Sequence, residues 1–92
     1  MRAEEVSKKI NVEKIAVFSD EISAVGMDSE FAAELRELVD TLVPAEKFKG
    51  YLAINDEYVV FKRDGRKYIL AVVEEERVKW CLRKFEEVLN GG

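Results

Sequence analysis

The chain has 92 residues, 48% of them hydrophobic, with 15 basic and 19 acidic side chains and a formal net charge of −4. That length suits one domain over 1–92 with one core and leaves no room for a second, and the mixed, mildly acidic charge argues against a dedicated nucleic-acid binder. No apolar run approaches the ~20 residues of a membrane span, no signal peptide is visible, and the single Cys forms no internal disulfide, so a cytoplasmic protein is expected. His and Gln are absent, which removes the usual general base and the commonest metal ligand. High charge with few amide side chains fits a thermophile.

In chain order, Met1–Ile10 carries Ala3, Val6 and Ile10 at helical spacing and predicts two turns of helix that need docking to persist. Val12–Ser19 reads as a strand, Asp20-Glu21 as a turn and Glu21–Val25 as a shorter strand, after which Gly26 permits a bend. Asp28 suits an N-cap, and a helix is predicted from Ser29 to about Val43, ended by Pro44. On it Phe31, Leu35, Leu38 and Leu42 form one stripe, and Ala32, Val39 and Val43 an adjoining strip rotated by roughly 80–100°. So broad an apolar face implies two partners, the sheet and something else.

Phe48–Ile54, Tyr58–Arg63 and Lys67–Val73 read as three strands in a row, rich in Val, Ile, Phe and Tyr and punctuated by Asn55-Asp56 and Asp64-Gly65. A two-residue Asp64-Gly65 turn sets Arg63 opposite Arg66, Lys62 opposite Lys67 and Phe61 opposite Tyr68. Apolar residues occur at both parities, so both faces of the sheet must be covered. A last helix is predicted from about Glu75 to Leu89, with Val78, Cys81, Leu82, Phe85, Val88 and Leu89 on one narrow face and Asn90-Gly91 as its cap.

The hairpin Lys14–Gly26, the helix "MDSEFAAELRELVDTLV" (Met27–Val43), the meander "GYLAINDEYVVFKRDGRKYILAVVEE" (Gly50–Glu75) and the closing "RVKWCLRKFEEVL" (Arg77–Leu89) together resemble the roadblock/dynein light chain family. Two features depart from the family's habit: the first turn is Asp20-Glu21 where Asp-Gly is frequent, and the first helix is short. The resemblance implies an α+β, profilin-like roadblock fold, a five-stranded antiparallel sheet with helices on both faces in the order α-β-β-α-β-β-β-α. It also implies a homodimer whose central helices pack together and whose Lys47–Ile54 strands join edge to edge, bringing Lys49, Tyr51 and Ala53 into the interface. Relatives of this kind are not enzymes; they scaffold or regulate small Ras-like GTPases, or larger signalling and motor complexes. The alternative that a profilin-like fold leaves open is a small-molecule sensor. No cofactor, metal or catalytic residue is expected.

The strip Ala32, Leu35, Val39 and Val43 is the expected helix contribution to the dimer, the competing reading being that all four pack on their own sheet. Trp80 lies about 200° from Val78 on the charged face of its helix, as a rim residue stacked by Arg or Lys or as a partner contact. Lys62, Arg63, Arg66 and Lys67 suggest either a solvated tip that blocks edge association or a docking patch for an acidic partner. Glu74-Glu75-Glu76 suits a helix N-terminus, and Cys81 on the apolar face reads as inert core. Gly91-Gly92 reads as a frayed helix end rather than a modifier-like tail. No G-x-x-x-x-G-K phosphate loop is present, so the chain is not itself a GTPase.

Overall fold

The computed structural model describes residues 1–90. The elements are α1 (Ala3–Ile10), β1 (Ile15–Phe18), β2 (Ile22–Val25), α2 (Ser29–Leu42), β3 (Lys47–Ile54), β4 (Glu57–Asp64), β5 (Lys67–Val73) and α3 (Val78–Asn90), the last entered through a 3-10 turn at Glu75–Arg77. The expected Gly91-Gly92 tail and the Gly91 cap lie outside the described residues.

The strands form one antiparallel sheet in the order β2-β1-β5-β4-β3. Placing β5 in the centre explains its composition, because both parities of KYILAVV must be covered. Ile69, Ala71 and Val73 face a core built with α1 and α3, from Ala3, Val6, Ile10, Val78, Cys81 and Phe85 among others. Tyr68 and Leu70 face the opposite core, where Ala16, Phe18, Val59 and Phe61 meet Ala32, Leu35 and Val39 of α2. Two helices cover one face, and α2 alone covers the other.

Local chemistry sets the ends of these elements. Asp28 caps α2 as expected: the Phe31 amide donates to its Oδ1 at 2.8 Å. Asn11, with φ 54°, closes α1 in the left-handed region, which Asn tolerates better than most residues. Ser23, the one polar residue buried among those described, accepts from the Ala3 amide at 2.8 Å and so ties the start of α1 to β2. Gly26 sits at φ 74°, and a Cβ there would collide with the Glu13 backbone, so the chain can turn into α2 only through glycine.

The loop of the β4–β5 hairpin lies one residue later than expected, so each cross-strand partner is two residues further along β5. Gly65, at φ 63°, is the first loop residue and Arg66 the second, while Asp64 stays in the strand opposite Lys67. A glycine can take the left-handed position without help from Asp64, and its amide donates to the Glu46 carbonyl at 2.8 Å, holding the turn against the α2–β3 connection. Lys62 therefore faces Ile69, Arg63 faces Tyr68 and Phe61 faces Leu70. The like-charge pairs that an Asp64-Gly65 loop sets opposite each other do not form, and an oppositely charged pair closes the hairpin instead.

Candidate interaction surfaces

α2 packs on the sheet through its Ala32–Leu35–Val39 side. These three residues are buried against their own sheet, and Val43 is half-buried. This corrects the expected dimer strip, since Ala32, Leu35 and Val39 have no surface left for a second copy. What α2 leaves outside is the adjoining stripe: Phe31 is 45% exposed, Leu38 41% and Leu42 62%. Seven and four residues apart, they line up along one flank of the helix.

That flank looks toward β4. Phe31 lines a concavity together with Val72 of β5 and Glu57 of β4, whereas Arg36, Ala33 and Thr41 on the other flank line one with Phe18 and Ile22. The single helix thus covers the β2–β1–β5 side of its face and stops short of β3. There Phe48, Leu52 and Ile54 are only half-buried at the margin of the core. The exposed stripe and this half-covered sheet margin are neighbours on one face.

β3 is an edge strand of eight residues, with regular alternation of half-buried and exposed positions and one side of its backbone unpaired among the described residues. Lys47, Lys49, Tyr51 and Ala53 are its exposed set, turned to the α3 side of the sheet. Lys49 forms an ion pair with Glu86, whose carboxyl is held below the usual range chiefly by that hydrogen bond. Tyr51 is 55% exposed and lies 6.0 Å, centroid to centroid, from Tyr58.

The basic quartet is divided between the two faces. Lys67 donates its ammonium to the Leu89 carbonyl at 3.4 Å, on the α3 side. Arg63 is on the α2 side, where its Nε donates to the Gly65 carbonyl at 3.0 Å and its Nη1 lies 3.8 Å from Asp40. Lys62 shares the parity of Val60, on the α3 side, and Arg66 is exposed in the turn. The four do not form one docking patch. Trp80 is half-buried against the α1–α3 core, with the Arg77 guanidinium 4.5 Å above its ring. This is the rim arrangement, with the indole covered by a cation.

One polar cluster escaped the sequence reading. The Tyr68 hydroxyl donates to Asp40 at 3.0 Å, and Asp40 also pairs with Arg36 at 3.5 Å. The Arg36 guanidinium stacks over both Phe18, at 5.0 Å, and Tyr68, at 4.9 Å. Burial, and then the hydrogen bond to Asp40, push the Tyr68 phenol above its ordinary pKa. The only signal in the sequence was the i, i+4 pair Arg36/Asp40, which is common on any solvated helix.

Cys81 is fully buried, and burial pushes its thiol up to about 12 despite the opposing charge of Arg77. Among the described residues no three His, Cys, Asp or Glu side chains converge as a metal site, and no helix is long and apolar enough to cross a membrane.

The molecule is therefore an α+β protein with one five-stranded antiparallel sheet between helical layers, an arrangement consistent with a profilin-like fold. No family model matches the chain. It is 63% identical over 91 residues to an uncharacterized protein of Archaeoglobus fulgidus, and the match covers 99% of each chain. The chain belongs to one family with that archaeal protein.

Proposed function

We propose that the chain is a roadblock-type homodimeric interaction module, without catalysis of its own, that scaffolds or regulates a small Ras-like GTPase in the cytoplasm. The observation that carries the dimer is the uncovered stripe Phe31–Leu38–Leu42 beside the half-covered Phe48, Leu52 and Ile54. A small domain buries a limited fraction of its apolar surface, and contiguous apolar patches of this kind mark association sites. The free β3 edge runs along the same margin and offers unpaired amides and carbonyls to a second strand. Two copies that pair through β3 bring their α2 flanks toward each other over the joined sheet. Lys49, Tyr51 and Ala53 then lie at the seam.

The non-catalytic reading is supported by residue chemistry. The one thiol is buried and held protonated, and no His stands beside any hydroxyl as a base. The GTPase as partner rests on the family resemblance of element order and spacing alone. Its test is a pull-down from native cell extract with the immobilised full chain, in the presence of GDP or a non-hydrolysable GTP analogue. A GTPase identified by mass spectrometry and retained in only one nucleotide state supports the assignment. Recovery of no GTPase in either state contradicts it while leaving the dimer standing.

A further inference from the structure

On the flank of α2 opposite the apolar stripe, the α2 face carries a second feature, independent of any dimer. Arg36 and Phe31 lie about 140° apart around the helix. Arg36, Arg63 and Arg66 line a concavity of about 550 Å³, together with Ser19, Asp20 and Glu46. It is bounded by the β1–β2 loop, α2, the α2–β3 connection and the β4–β5 turn.

Two of these arginines are held in place while most of their hydrogen-bonding capacity stays unspent. Arg36 is clamped over the Phe18 and Tyr68 rings, and the Arg63 guanidinium lies 5.7 Å from the Tyr68 centroid. Each guanidinium carries five N–H donors. Among the described residues the pair makes one hydrogen bond, Arg63 Nε to the Gly65 carbonyl, and otherwise shares the single carboxylate of Asp40 at 3.5 and 3.8 Å. Arg66 is exposed and forms no ion pair among the described residues. Positioned forks with unspent donors around an open concavity suit an oxyanion that accepts from several N–H groups at once.

We propose that this concavity binds the phosphate group of a small, hydroxyl-bearing phosphate ester. The forks of Arg36 and Arg63, with Arg66 closing from the turn, take the phosphate oxygens. Asp20, Glu46 and Ser19, which would repel or be neutral to a bare anion, accept hydrogen bonds from the hydroxyl groups on the rest of the ligand. The register of the β4–β5 hairpin is what makes this possible: with Gly65-Arg66 as the loop, Arg63 and Tyr68 are cross-strand partners on the α2 side.

The test is an amide and arginine Nε–H NMR titration of the full chain at low ionic strength, with inorganic phosphate and, separately, ribose 5-phosphate. The expected result is a set of shifts confined to Ser19–Asp20, Gly65–Lys67 and the side chains of Arg36 and Arg63, with ribose 5-phosphate half-saturating at about 1 mM or below. Arg63→Lys keeps the charge and removes the fork, and it should weaken binding about tenfold. Arg66→Glu, at an exposed position outside the core, should do the same with the remaining spectrum unchanged. Tighter binding of the ester than of inorganic phosphate supports the acceptor role given to Asp20, Glu46 and Ser19. Equal binding, absence of localised shifts with the ester up to about 10 mM, or titrations unchanged in both variants would overturn the proposal.

Discussion

Cys81 shows how burial alone decides the character of a reactive residue type. Its thiol has no accessible surface and is raised from 9.0 to about 12, because the thiolate would be stranded among Ile, Val and Phe side chains. The folded state therefore holds its proton more tightly than the unfolded chain does. The contribution to stability is complete below pH 9 and is lost as pH rises from there toward 12. We expect the native thiol to resist an aromatic disulfide reagent at pH 8 and to react in full once the protein is unfolded in guanidinium. We also expect the thermal midpoint to fall above pH 9 less steeply in Cys81→Ala than in the wild type, once the cavity cost of the substitution is subtracted. Inert core was the sequence reading of this residue, and it was legible because Cys81 keeps phase with Val78, Phe85 and Val88.

At the scale of elements, α2 is the informative case. Its boundaries, its Asp28 cap and its breadth of apolar surface were readable from 29–43. Which apolar strip meets the sheet was not, because Leu35 belongs to either side and helical phase is set by what the sheet presents. The sheet took Ala32, Leu35 and Val39, where a small residue at Ala32 lets the helix approach, and the bulkier Phe31, Leu38 and Leu42 were left out. The β4–β5 turn failed to read for a similar reason: Asp-Gly names a turn, but moving the loop by one residue keeps the glycine in its left-handed position and every side chain on its face, while shifting each partner by two residues and so changing which charges meet. The two strips of α2 respond differently to the same substitution. Val39→Glu buries an unpaired carboxylate and should cost more than about 4 kcal/mol, enough to unfold a small domain. Leu42→Glu changes a residue already 62% exposed and should leave the isolated fold within about 0.5 kcal/mol of the wild type. Circular dichroism with urea titration, at concentrations low enough to dissociate any dimer, separates the two outcomes.

At the scale of the whole molecule, the three helices are unequally shared between the faces of the sheet. α1 and α3 together close one face, whereas on the other Val59 and Phe61 of β4 are buried and Phe48, Leu52 and Ile54 of β3 are only half-buried. Element order and the need for cover on both faces could be read from the two-parity apolar pattern of the strands. The uneven cover could not, because it depends on where α2 lies across the sheet. A half-covered margin, an apolar flank and a free eight-residue edge all meet on one side of the molecule, and the proposed second copy of the chain would satisfy all three together.

Light scattering coupled to size exclusion addresses this most directly, on the wild type and on Leu42→Glu at matched concentrations. The account predicts that the wild type elutes at twice the 10.6 kDa chain mass and that the folded variant elutes at that mass itself. A wild type that remains a single chain at high concentration, or a Leu42→Glu protein that stays paired, would contradict it.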